Sequence, residues 1–193
     1  MNFYLKRKER IILTAIEIMD ELGFQGLSTK EICKRQGVSE GALYKHFKSK
    51  NDVILGVLEF YSKFDNDIKE TVALKNLSGK ESILYFIERF AEYYESYPAI
   101  TAIINSQEVL KQESEEIKNK IIEIFKSRTN FIIDQIEKGK QAGQISSVLE
   151  STLLSDIILG TMNNIILRWR LADNNFSLKE SITKAQNFIL KSY

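Results

Sequence analysis

Between Leu5 and Leu22 the apolar residues Ile11, Ile12, Ala15, Ile16, Met19 and Leu22 recur three or four positions apart, a spacing that puts them on one face of a helix. Gly23 follows as a C-cap, since glycine takes the left-handed conformation that ends helices without steric cost. Ser28 and Glu31 have capping-box spacing, the serine oxygen accepting from the backbone three residues on while the glutamate reaches back. They open a short helix to about Gln36. Gly37 supplies the positive φ for a turn, Ser39 caps a second short helix over Glu40–His46, and a longer helix starts near Lys50 and runs to about Leu74. Beyond it, periodicity predicts helices near Gly79–Tyr97, Pro98–Leu110, Ser114–Ala142, Leu149–Ala172 and Ser177–Leu190. Pro98 fits a first helical turn, and Asp173-Asn174-Asn175 reads as a turn. No alternating run carries a hairpin dipeptide. The predicted fold class is all-α.

Two short helices joined by a glycine turn, behind a longer supporting helix, make a helix-turn-helix unit over about residues 28–47. A two-turn helix is unstable alone, so the second must lean on Ile12, Ile16, Ile32, Val38, Leu43 and Phe47. Its small residues allow close approach to a groove, and Tyr44, Lys45 and His46 bring hydrogen-bond donors. The charge distribution agrees. Net charge is only +1, yet residues 1–50 hold ten Lys/Arg against six Asp/Glu, and the rest seventeen against twenty. A basic head on a mildly acidic body suits a polyanionic partner.

Composition removes other classes. The longest charge-free stretch, Ser96–Gln107, is far short of a membrane helix, and Glu17 and Asp20 interrupt any signal-peptide core after the basic start. One cysteine and one histidine exclude an internal disulfide and leave too few ligands for a structural zinc site. A cytoplasmic protein without metal or cofactor is expected. His46 has no nucleophile placed beside it by a recognisable motif, so an enzyme is not expected.

The stretch Gly23-Phe24-x-x-Leu27-Ser28-Thr29-Lys30-Glu31-Ile32, followed by Gly37-Val38-Ser39-x-Gly41-x-Leu43-Tyr44-x-His46-Phe47-x-Ser49-Lys50, resembles the N-terminal DNA-binding domain of the TetR family. The match covers about the first third of the chain without a gap. The resemblance implies that Thr29, Tyr44, His46 and Lys50 hold DNA phosphates, and that Lys30, Glu40, Gly41, Ala42 and Lys45 face bases or the adjoining backbone. Lys50 opens a helix aimed at the backbone, where an ammonium and free N–H groups suit an anion. Glu40 either accepts from cytosine N4 or stays solvated near its helix start. Cys33 and Gln36 stand where the family commonly has alanine. Cys33 is expected to be a small buried side chain and Gln36 a solvated one.

The resemblance further implies a DNA-binding domain over 1–50, with a linking helix from 50 to about 74, and a helical effector-binding and dimerisation domain over 51–193. Nine of the twenty aromatic residues lie between Phe60 and Tyr97. They form core, or they line a small-molecule cavity with a few polar groups. The expected effector pocket is Phe64, Phe86, Arg89, Phe90, Tyr93, Tyr94, Asn105 and Arg128, for an apolar or aromatic effector of unknown identity. Leu154, Ile158, Ile165 and Trp169 share one helical face, and Ile182, Ala185, Phe188 and Ile189 another. These either complete the chain's own core or pack against a second copy, and the dimer is preferred because one short reading helix makes too few base contacts. The expected function is a transcriptional repressor, a homodimer on a near-palindromic DNA operator, released by a small-molecule effector. The alternative is a DNA-bound architectural or division-control protein whose C-terminal domain binds another protein.

Overall fold

The structure is a computed structural model and describes residues 6–192; Leu5, where the first helix was expected to begin, lies outside them. The described residues form α1 (Arg7–Gly26), α2 (Thr29–Gln36), α3 (Glu40–Tyr44), α4 (Lys50–Leu74), α5 (Gly79–Ser96), α6 (Ala102–Leu110), α7 (Glu115–Gln141), α8 (Ser151–Leu171) and α9 (Leu178–Ser192), with a 3-10 turn at Pro98–Thr101. Among them there is no strand. The all-α expectation holds.

The chain divides into two compact units. One holds the chain up to Phe64 together with Pro98–Ile124; the other holds Asp65–Tyr97 and the chain from Phe125 onward. Helices α4 and α7 each pass from one into the other.

In the first unit α1 is the hub, burying Ile11, Ile12, Ala15, Ile16, Ile18 and Met19. The 3-10 turn and α6 pack along it, as does α2. Gly23 breaks the helical dihedrals at φ 69°, so the stop expected there is real, and one further turn carries the chain to Gly26. Pro98 opens the 3-10 turn ahead of α6, where Thr101 donates its hydroxyl to the Pro98 carbonyl at 2.7 Å.

In the second unit α9 packs on α5 and α8. Glu95 of α5 accepts from the backbone N–H of Lys179 at 3.0 Å and from the Ser177 hydroxyl at 3.1 Å. A carboxylate is thereby set at the start of α9, where free N–H groups favour it. Gln186, fully buried, donates to the carbonyl of Ile158 at 2.9 Å and fixes the α8–α9 register. Gly79 meets Gly139: a Cβ at Gly79 would lie 2.3 Å from the Gln135 carbonyl and 2.4 Å from the Gly139 nitrogen. The turn expected at Asp173-Asn174-Asn175 is present, and Asp173 and Asn174 are left-handed in it (φ 49° and 60°).

Candidate DNA-binding and effector sites

The helix-turn-helix forms from local signals. Ser28 Oγ accepts from the Glu31 N–H at 3.1 Å. The glutamate side chain does not reach back, contrary to the capping-box expectation. It accepts from Arg35 Nε at 3.0 Å, with Lys34 at 3.7 Å, and its carboxyl is held below the ordinary range chiefly by Arg35. Two cations one turn away outweigh a single backbone N–H. Gly37 has φ 62° and closes α2, its N–H donating to the Lys34 carbonyl and that of Val38 to Cys33. Ser39 Oγ then accepts from the Ala42 N–H at 3.3 Å to cap α3. That helix ends at Tyr44 rather than His46, although Phe47 still donates to the Leu43 carbonyl.

Leu43 and Ile32 are fully buried and Phe47 nearly so, each apolar side chain contributing about 1.5–3 kcal/mol from burial. That anchors a five-residue helix with no stability of its own. Gln36 is half-buried rather than freely solvated: its amide donates to the buried Thr14 hydroxyl at 2.5 Å, tying α2 to α1. Arg35 adds a 2.8 Å bridge to Glu21. Cys33 is buried, and that burial, with the Glu40 carboxylate adding, pushes its thiol up.

All nine expected DNA contacts reach the surface of this head. Lys30, Glu40, Gly41, Tyr44, Lys45 and His46 are exposed, and Thr29, Ala42 and Lys50 half-buried. A Cβ built on Gly41 meets only Ser39 Oγ, at 3.9 Å, so the glycine leaves open space on the outward side. Ser49 Oγ accepts from the Asp52 N–H at 3.1 Å, and Asp52 accepts from Lys48 N–H at 2.7 Å, which starts α4 at Lys50. The Lys50 ammonium lies 4.5 Å from the centroid of Phe24 and 3.7 Å from Glu113 Oε2.

The expected effector residues are divided between the two units. Phe86, Phe90 and Tyr94 are buried and form an aromatic row on α5, with centroids 4.8 and 5.7 Å apart; Phe131 of α7 joins Phe86 at 4.9 Å. Tyr93 flanks Tyr94 at 6.0 Å. Arg128 lies over Phe90, 4.6 Å from its centroid, and makes a two-pronged bond to Asp65 at 2.7 and 2.8 Å. Arg89 is half-buried, paired with Glu92 at 2.6 Å and 5.3 Å from the Tyr85 ring centroid. Phe64 and the exposed Asn105 belong to the first unit.

Sequence reasoning missed Asp65 and Lys69. Lys69 donates to the Ser127 hydroxyl and carbonyl at 2.6 and 3.2 Å; burial pushes its ammonium down, Asp65 opposing and Arg128 adding. Their i,i+4 spacing was visible, but partners on a distant helix were not. A separate surface groove of about 710 Å³ runs between α5 and α9 beside Glu88, Thr183, Asn187 and Phe188, and none of the expected effector residues lines it.

Of the residues expected at a dimer interface, Leu154, Ile158, Ile165, Trp169 and Ile182 are buried within the protomer, Ala185 and Ile189 half-buried, and only Phe188 stands out at 73% exposed. Completion of the chain's own core is the role that the first five already fill.

Residues 11–57 match the model of the tetR family of bacterial regulatory proteins, and residues 58–192 match that of the C-terminal region of YsiA-like proteins. The chain belongs to the TetR family. TetR regulators bind operator DNA, function as dimers and bind small-molecule effectors, and this chain is accordingly a DNA-binding, ligand-responsive transcriptional regulator. It is 28% identical to the fatty acid metabolism regulator protein of Bacillus subtilis (strain 168), over 88% of this chain and 86% of the relative. The crystal structure of FadR from Bacillus subtilis in complex with stearoyl-CoA superposes with a TM-score of 0.82 at 23% identity, covering 97% of this chain and all of that one. The nucleoid occlusion factor SlmA of Vibrio atlanticus is 23% identical, over 91% of this chain and 89% of its own. Among the described residues no helix is long and apolar enough to cross a membrane, and no three metal-binding side chains cluster.

Proposed function

We propose that this TetR regulator is a cytoplasmic repressor that leaves its operator when it binds a long-chain acyl thioester of coenzyme A. The near-full-length likeness to the Bacillus subtilis fatty acid metabolism regulator carries the reading. The buried row of Phe86, Phe90 and Tyr94 supports it, since an acyl chain needs a dry apolar lining and Arg128 beside Phe90 offers a polar anchor. The division-control alternative has less support, its relative being 23% identical.

Thr29, Tyr44, His46 and Lys50 hold phosphates in this reading, while Lys30, Glu40, Gly41, Ala42 and Lys45 face base edges. Two heads act together through outward stripes: Leu153, Ile157, Gly160, Leu167 and Leu171 recur along α8 opposite its buried face, with Leu153 49%, Leu167 44% and Leu171 78% exposed. Exposed leucines in register on one helix suit a self-complementary two-fold contact. The effector releases DNA only by binding the non-competent conformer more tightly.

The test is fluorescence anisotropy on DNA from upstream of the protein's own gene and on a scrambled duplex, across a salt series, with acyl-CoA of increasing chain length added. Selective binding abolished by long-chain acyl-CoA, and untouched by free coenzyme A or free fatty acid, is expected. Selective binding that no acyl-CoA alters would refute the effector assignment, and equal binding of both duplexes at every salt would count against that operator.

A further inference from the structure

Lys50 has a partner before any DNA arrives. Its ammonium rests against the Phe24 ring at 4.5 Å and stands 3.7 Å from Glu113, in the turn between the end of α6 at Leu110 and the start of α7 at Glu115. Glu108 and Glu115, on either side, bridge lysines of their own segment: Lys111 at 2.5 Å and Lys118 at 3.1 Å. Glu113 instead reaches across to another helix of the same unit. Lys50 opens α4, and a cation at a helix N-terminus is disfavoured by the partial positive charge of the free N–H groups, so a nearby carboxylate is favourable there. Both side chains keep about a third of their surface in water (35% and 28%), so an incoming anion can reach the ammonium.

We infer that Glu113 competes with DNA phosphate for Lys50 and so sets the ceiling on DNA affinity. This rests on the phosphate-holding role proposed for Lys50. A phosphate and the Glu113 carboxylate on one ammonium repel each other, so docking must break or loosen the pair. A partly exposed pair is weak, which makes the brake modest: about two- to fivefold in affinity per head. Two heads multiply it. The carboxylate thus lowers affinity for every duplex alike, because a phosphate contact carries no sequence information.

The experiment uses the full chain and a fluorescein-labelled mixed-sequence duplex of about thirty base pairs, roughly three helical turns, because a phosphate contact is read on any sequence. Anisotropy at low salt compares the unaltered protein, Glu113→Gln, Lys50→Ala and the double variant. Glu113→Gln is expected to tighten binding by about two- to fivefold per head, with a gain that fades as salt rises. Lys50→Ala weakens binding, and adding Glu113→Gln to it changes nothing further. Unchanged binding by Glu113→Gln beside a weakened Lys50→Ala overturns the competition while leaving Lys50 its role. An equal gain with and without Lys50 overturns it too, since the carboxylate would then act by long-range repulsion. An undiminished Lys50→Ala removes the phosphate role itself, and the inference with it.

Discussion

The Asp65–Arg128 pair joins α4 to α7 beside Phe90 of the aromatic row, and its removal has a calculable cost. The side chains are 4% and 15% exposed, and the guanidinium meets the carboxylate at 2.7 and 2.8 Å. Arg128→Met leaves a carboxylate buried without its main partner, a situation that costs about 3–5 kcal/mol. In a chain of this size each kcal/mol lowers Tm by about 2–4 °C, so a fall of roughly 6–20 °C is expected. Lys69 softens the loss, since it already acts on Asp65 electrostatically while anchored to Ser127; the lower half of the range is therefore the better target. Asp65→Leu combined with Arg128→Met should recover most of it, because a buried pair replaced by apolar groups of similar volume is often neutral. Urea and thermal melts at fixed protein concentration measure both, the concentration being held because a dimer's stability depends on it. A loss below about 1 kcal/mol for Arg128→Met, or a double variant no better than the single one, would refute the reasoning.

Three other outcomes follow from the same geometry. Tyr44→Phe and Lys50→Ala should weaken binding to all DNA sequences alike, Lys50→Ala also lowering the salt slope by about 1, whereas Lys30→Ala should shift preference among bases; a uniform effect from all three would dissolve that division of roles. Gly79→Ala should destabilise by at least about 1–3 kcal/mol in a urea melt, because its Cβ would press on the backbone at Gln135 and Gly139 and neither is a movable side-chain end. Cys33 should resist alkylation near pH 8 in the folded protein and react quickly in urea. Burial raises its thiol above the ordinary range and lowers the thiolate fraction, so equal rates in both states would contradict its position.

The helix-turn-helix was legible because its instructions are local. Ser28, Gly37 and Ser39 act on backbone within three or four residues, and spacing along the chain is what a sequence displays. The same locality misjudged Glu31 and Gln36, whose better partners, Arg35 and Thr14, were set by competition and by α1 packing. Periodicity likewise found α8 and α9 as amphipathic helices. It left their apolar faces either to the chain's own core or, by preference, to a second copy, and Leu154, Ile158, Ile165, Trp169 and Ile182 are buried in their own protomer.

The succession of helices, the glycine turn, the serine caps of the reading head and its resemblance were thus determined by sequence alone. Tertiary structure decided which helices belong together: Pro98–Ile124 joins the head through α1, and Asp65 finds Arg128 on a helix far along the chain. The physical reason is one of range. Hydrogen-bonded turns and caps form between residues already held close by the backbone, while burial and ion pairing are indifferent to chain separation. Which distant partner a carboxylate or an apolar face meets is settled only when the whole chain packs.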